Sequence, residues 1–248
     1  MDEEEKGILG GGEAEASPQP SNLGPRREDA LFVRLERACR ILQCEITEEK
    51  LKRARMFLEE LSRWNRAYNL VGRRVSGEGL TEHFIDSLTP IMYEKLFEEG
   101  LEMLDLGSGA GFPGIPLYIF KGPMDITLVE PARKKQSFLR HAKRLLCMDE
   151  LKVLGARSED MVRKESNLNG YDRIFMRAVA EPQKAVRISR PLLSSGGILV
   201  LFLGKEGGDS LGKKGGGVTK LGMRMENMRS TRKITGKDNY IALLRKEE

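Results

Sequence analysis

Residues Leu104-Asp105-Leu106-Gly107-Ser108-Gly109-Ala110-Gly111-Phe112-Pro113-Gly114 set four glycines within eight positions, directly after a short apolar run. Glycine lets a chain turn where a side chain would clash, and lets backbone amides approach a ligand. A strand that ends in such a turn and then opens a helix is the usual mouth of a nucleotide or nucleoside site. That constraint alone points to an α/β fold in which this turn sits at the carboxyl end of a buried strand.

The remaining pattern agrees. Apolar runs at 101–106, 125–130, 151–154, 171–177 and 197–203 read as strands. They alternate with helical stretches near 114–121, 132–148, after Ser158 and over 181–192. Short strands alternating with helices imply a parallel sheet covered on both faces, with all strand carboxyl ends on one rim. The expected fold is a Rossmann-like sheet with an N-terminal helical extension and an antiparallel strand pair at its C-terminal edge. Three helices precede the first strand. One begins at Asp29, one follows the N-cap Thr47, and one spans 80–97. Residues 204–222 hold eight glycines and read as a mobile loop, and the strand pair is expected at 224–234 and 239–244, around the turn Gly236-Lys237-Asp238. The domain reading is a disordered tail at 1–28, a helical subdomain at 29–100 and the sheet domain at 101–248.

Composition narrows the function classes. The 248 residues are 40% apolar and 32% charged, as in a soluble globular protein, and no run reaches the ~18–20 apolar residues of a membrane span. The acidic start Met-Asp-Glu-Glu-Glu is unlike a secretory signal, so a cytoplasmic place is expected. Cys39, Cys44 and Cys147 form no C-x-x-C pair, and only His83 and His141 are histidines, so no metal site is expected. The net charge of +5 fits a polyanionic partner, and the basic residues are clustered. Eight Lys or Arg lie between Lys50 and Arg74, and six between Arg133 and Arg144, where there is no acid. These segments are solvated helix faces or phosphate contacts. Of them, Arg133, Lys134, Lys135 and Arg140 are the candidate RNA-binding set.

Two ligands compete for the glycine turn. Gly109 to Gly114 spells G-x-G-x-x-G, the dinucleotide fingerprint. Asp105-x-Gly107-x-Gly109-x-Gly111 spells the acidic turn of S-adenosylmethionine (SAM) methyltransferases. An aspartate beside the helix N-terminus repels a pyrophosphate but can order the loop or meet a cationic amino group, which favours SAM. Phe112 lies within the turn, against the cofactor or as a seal. Glu130 ends the second strand, 23 residues after Gly107, where a carboxylate can accept from ribose hydroxyls. Ser158 and Glu159 follow the third strand, where adenine is commonly held; Ser158 is also a potential helix cap. Arg177 ends the fourth strand where many amino-methyltransferases carry Asn/Asp-Pro-Pro-aromatic. That absence argues against methylation of an exocyclic amine, and no rim cysteine suggests a C5-pyrimidine nucleophile. Trp64 and Tyr68 read as helix packing or RNA stacking. His83 and Asp86, three apart on a helix, share a face.

Trp64-Asn65-Arg66-Ala67-Tyr68-Asn69-Leu70, His83-Phe84-Ile85-Asp86-Ser87, Asp105 through Pro116, and Arg177-Ala178 together resemble the RsmG (GidB) family of bacterial 16S rRNA guanine-N7 methyltransferases. The resemblance covers about residues 35–206. It implies transfer of a methyl group from SAM to N7 of a guanine in the 530 loop of 16S rRNA (guanine 527), on the rRNA or the 30S particle, by a monomer. It implies that Asp105, Gly107, Gly109, Gly111, Phe112, Glu130, Ser158, Glu159 and Arg177 form the cofactor site. The resemblance further implies that Arg177 is the catalytic residue, in contact with SAM or the target base, and that Lys205 faces the RNA. N7 carries a lone pair and no proton, so such a reaction needs alignment rather than a general base. The residue pattern itself leaves open a SAM methyltransferase acting on another RNA or a small molecule, a non-catalytic ribosome-assembly protein that binds RNA, and an NAD-linked oxidoreductase.

Overall fold

Strands that are largely apolar on both faces lie inside a sheet, and that is where β1 (Met103–Leu106) and β2 (Ile126–Val129) sit, all eight residues buried, Asp105 and Thr127 included. The structure is a computed structural model that describes residues 30–72, 75–164, 170–177, 181–213 and 217–247. The tail 1–28, Arg73, Arg74 and Ala178 to Ala180 lie outside the described residues. Three helices come first: α1 (Ala30–Leu42), α2 (Glu48–Tyr68) and α3 (Gly77–Ser87). Then follow β1, α4 (Gly114–Lys121), β2, α5 (Arg133–Leu145), β3 (Lys152–Leu154), α6 (Ser158–Lys164), β4 (Tyr171–Met176), α7 (Pro182–Ser189) and β5 (Leu193–Leu203). The chain ends with α8 (Lys205–Gly212), β6 (Met223–Ser230), α9 (Arg232–Thr235) and β7 (Tyr240–Lys246).

The seven strands run in the order β3-β2-β1-β4-β5-β7-β6. The first five are parallel, and β7 pairs antiparallel with both β5 and β6. Strand order reverses between β1 and β4, so the crevice at their carboxyl ends is the topological switch point of the sheet. Among the described residues no helix is long and apolar enough to cross a membrane.

Alternation along the strands divides the interior into two layers. Met103, Ile126, Leu128, Phe175, Val200 and Leu243 face α1 to α5. Leu104, Leu106, Val129, Ile174, Met176 and Leu201 face α6, α7 and α8. The helical segment and the sheet share the first layer, which runs unbroken from Leu35 on α1 to Leu243 on β7. Phe57 of α2 is fully buried there and meets Phe112 of the glycine turn edge-on, with centroids 5.5 Å apart. Such aromatic pairs contribute ~0.5–1.5 kcal/mol beyond their buried area.

Two motifs prove to be helix punctuation. Asn69 ends α2 in the left-handed conformation (φ 56°), its N–H donating to the Asn65 carbonyl. The Asn65 side chain donates to the Gly72 carbonyl and accepts from the Val71 amide, both at 3.0 Å. Trp64 lies half-buried in the seam between α2 and α5, against Phe138 at 5.6 Å and His141 at 5.5 Å, and donates to Glu60. It packs; Tyr68 beside it is exposed, with the Lys134 ammonium 5.7 Å from its ring. Thr47 caps α2 by accepting from the Lys50 amide at 3.2 Å.

Four expectations need correction. The helix expected at 80–97 stops at Ser87, because Pro90 cannot donate to a continuing ladder; two 3-10 turns, Thr89–Met92 and Glu94–Phe97, replace it. The glycine-rich stretch after Gly204 is not all loop: residues 205–212 form α8. Gly208 is required there because a Cβ would collide with the Tyr240 ring. The strand expected at 224–234 ends at Ser230, and the short helix α9 takes the next residues before Gly236 turns the chain. Ser158 is the first residue of α6 rather than its cap, and its hydroxyl donates to Glu159 at 3.2 Å.

Candidate active site at the switch point

The glycine turn is held from beneath by two carboxylates. Asp105, the penultimate residue of β1, is fully buried, and its Oδ2 accepts from the Gly114 amide at 2.9 Å. Its Oδ1 has no hydrogen-bond partner among the described residues. Burial pushes the Asp105 carboxyl up to about 7, against the opposing pull of the Gly114 amide. Glu130, just beyond β2, is also buried. It accepts from the Gly109 amide at 3.0 Å and from the Ala132 amide at 2.8 Å. A carboxylate offers about four acceptor positions, so Glu130 keeps capacity for a ligand hydroxyl.

The four glycines divide their tasks. Gly107 (φ +83°) and Gly109 (φ +59°) have open space where a Cβ would stand. Gly111 and Gly114 do not: a Cβ would meet Ile115 Cδ1 at 2.5 Å in the first case and collide with Leu128 in the second. The first pair leaves room for a ligand, and the second lets α4 dock on the sheet.

Beside the turn lies a cavity of about 590 Å³, lined by Leu106, Gly107, Val129, Pro131, Ala132, Arg157, Ser158, Glu159 and Met176. It gathers the ends of β1, β2 and β4 and the start of α6. Gly107, Ser158 and Glu159 therefore meet at one place, and Glu130 is flanked by two of the lining residues.

Arg177 stands on the other side. It follows Met176, so its side chain leaves the end of β4 toward the α1–α5 layer. Its Nε donates to Asp86 Oδ2 at 3.0 Å, and its Nη2 lies 2.9 Å from the same oxygen and 2.8 Å from His83 Nδ1. The guanidinium sits 5.5 Å from the centre of the Phe112 ring. A guanidinium only donates, so His83 Nδ1 accepts and the imidazole is the neutral tautomer with its proton on Nε2. Burial, and then the charge of Arg177, hold the His83 pKa below its ordinary value. Ser87 locks the same helix turn by donating to the His83 carbonyl at 2.7 Å. The H-x-x-D-S motif is thus the seat of Arg177. The sequence put His83 and Asp86 on one face; that this face meets a residue more than ninety positions away had no local signal.

The candidate RNA residues lie apart from this cluster. Arg133, Lys134 and Arg140 are exposed on α5, Lys135 is half-buried, and Lys205 is exposed at the start of α8. Arg53, also counted among the basic residues, instead donates to the Leu146 carbonyl at 2.7 Å and ties α2 to the end of α5.

A parallel sheet with a glycine turn at its switch point, two carboxylates beneath the turn and a cavity beside it define a class I SAM-dependent methyltransferase. The residues fit that cofactor: a buried carboxyl with one unused oxygen suits a cationic amino group, Glu130 suits ribose, and Gly107 leaves room for close approach. Similar folds occur in Aeropyrum pernix fibrillarin with natively bound S-adenosyl-L-methionine (TM-score 0.51, 17% identity, covering 66% of this chain and 76% of that one). Ribosomal protein L11 methylase from Lactobacillus delbrueckii subsp. bulgaricus is similar too (TM-score 0.51, 10% identity, 70% and 80%). The family GidB, rRNA small subunit methyltransferase G, matches residues 50–236, and the chain belongs to it. It is 34% identical to ribosomal RNA small subunit methyltransferase G of Geobacter sulfurreducens over 75% of this chain and 87% of that protein. It is 30% identical to the protein of the same name from Geotalea uraniireducens over 83% and 92%. The chain is a SAM-dependent rRNA methyltransferase.

Proposed function

We propose that this enzyme methylates N7 of a guanine in the 530 loop of 16S rRNA, as a monomer in the cytoplasm, with the rRNA or the 30S particle as substrate. The observation that carries the reading is the seat of Arg177: a guanidinium fixed by Asp86 and neutral His83, stacked on Phe112 of the glycine turn.

SAM, when bound, supplies an electrophilic methyl group on a sulfonium. The chain then has to align, not to take a proton, because guanine N7 already presents its lone pair. Nε and Nη2 of Arg177 are engaged by Asp86 and His83, and Nη1 makes neither bond. Its charge-assisted donation suits guanine O6, next to the attacking atom, and holds the base edge in register. Phe112, buried between Phe57 and Arg177, keeps water from that junction. With SAM bound, Asp105 would hold the cofactor's amino group and Glu130 its ribose. N7 is hidden in the deep major groove of paired RNA, so the target guanine is unpaired or turned out when it binds. The exposed cations of α5 and Lys205 hold flanking phosphates.

The test is methyl transfer from labelled SAM to naked 16S rRNA and to 30S particles, mapped by N7-sensitive strand cleavage. Cleavage at a 530-loop guanine is expected. A label on another base, or on another ring position, overturns the substrate assignment.

A further inference from the structure

A second cavity, of about 270 Å³, opens on the other side of the β4 end, between α1, α3 and the turn after α9. Its floor is the Arg177, Asp86 and His83 cluster, and its walls bring Arg34 and Arg37 from α1 together with Lys237. Four cations and two carboxylates line it, with His83 neutral. Asp86 is spent on Arg177. Glu82 is spent on Lys237 at 2.7 Å and Arg34 at 3.5 Å, which ties α1, α3 and the α9 turn together. Arg37 is exposed and makes no ion pair among the described residues. The volume is near the low end of small-ligand sites, which span ~300–1,000 Å³.

Met176 lines the cofactor-side cavity and Arg177 lines this one. One strand end therefore serves both, and a base lying on Arg177 is next to the glycine turn at Phe112. We infer that this cavity is the bay for the turned-out target nucleotide, with the base on the Arg177 cluster and adjoining RNA phosphates held by Arg34, Arg37 and Lys237. This rests on the methylation of rRNA described above and adds to it the face by which the RNA arrives. Two of the three phosphate-holding residues belong to α1, which precedes the matched span 50–236. The chemistry favours nucleic acid: guanidinium groups pair phosphate in two-bond fashion, and the floor presents donors to a purine edge. Without α1 the bay loses a wall and most of its rim charge.

The full chain carrying Arg34→Gln, Arg37→Gln and Lys237→Gln is compared with wild type for kcat and KM on 16S rRNA, for SAM affinity by titration calorimetry, and for salt dependence of RNA binding. KM for RNA rises about tenfold while kcat and SAM affinity stay within about twofold, and the slope of log K against log salt becomes shallower by about 2, at ~0.7 per phosphate contact on single-stranded RNA. Because Lys237 and Arg34 also tie elements together, Arg37→Gln alone is measured in parallel, with a slope change of about 0.7. Arg37→Lys keeps the charge and restores the slope. An unchanged KM and an unchanged slope in folded variants overturn the inference. If wild-type protein methylates no RNA, the functional reading fails first; if it methylates and the variants match it, only the bay is refuted.

Discussion

Met176 and Arg177 are neighbours in the chain, yet they open onto opposite sides of the sheet, and the two cavities they line differ in charge and wall. The cofactor side is built from strand ends and the turn backbone. Beneath the glycine turn, on the face that meets α4, Asp105 is buried and its carboxyl is raised from 3.8 to about 7 by burial. The RNA side is built from helices and side chains, and its half-buried ionisable group is His83, lowered below 6.5 by burial and Arg177. Folding therefore responds to pH with opposite signs at the two groups. The Asp105 contribution is complete below pH 3.8 and is lost as pH rises toward about 7, because the folded state holds a proton that the unfolded chain has released. The His83 contribution is present above pH 6.5 and is lost as pH falls, because the unfolded chain takes up a proton that the folded state refuses. A ligand site made of backbone is blind to most substitutions; one made of side chains is not.

The largest effect is expected from Gly107→Arg. The side chain enters the open space over the turn, and an L-residue at φ +83° adds ~1–2 kcal/mol of strain. SAM affinity should fall at least ~100-fold, about 2.8 kcal/mol, by calorimetry, while the circular dichroism of the helices is retained. Normal affinity would show that the cofactor lies elsewhere. Arg177→Lys acts on the opposite side. Lysine cannot span Asp86, His83 and a base at once, so kcat/KM on rRNA should drop by ~10–100-fold, the loss of bonds worth ~1.5–3 kcal/mol. SAM affinity should stay within about twofold; an equal loss in both would merge the two cavities into one site.

The titrations give a gentler test. Urea unfolding across pH 4–8 should show Asp105→Asn without the decline toward neutral pH that wild type shows, a difference of at most ~2–4 kcal/mol. His83→Gln should lack the decline below pH 6.5 and keep the other. If both variants follow wild type, neither group governs the pH dependence of folding. The smallest effect is expected on α5: Lys134→Gln, Lys135→Gln and Arg140→Gln should raise KM for rRNA only ~2–3-fold and make the salt slope slightly shallower. A loss as large as that from the α1 rim would mean that RNA approaches across α5.

The sequence made the cofactor side legible because its parts are local. The glycine turn, Asp105 before it and Glu130 at the end of the next strand are read from spacing within one βαβ unit. The RNA side is assembled from α1, α3, the end of β4 and the α9 turn, whose segments are far apart along the chain. Nothing in the pattern around Arg34 or Lys237 marks them as neighbours of Arg177. Local rules failed for the same reason in the glycine-rich stretch. Glycine is a poor helix former, and only the distant ring of Tyr240 explains why α8 needs Gly208. Pro90, by contrast, carried a local stop that outweighed the helical period of residues 80–97.

Trp64 is the sole tryptophan of the chain, and it lies in the seam between α2 and α5, between the ring of Phe138 and the imidazole of His141. The molecule therefore carries its own optical gauge. Indole emission reports the closeness of α2 to α5. The glycine turn connects to it through Phe112, Phe57 and Phe138, a chain of neighbouring rings, so binding at the turn is expected to be followed by fluorescence without any added label.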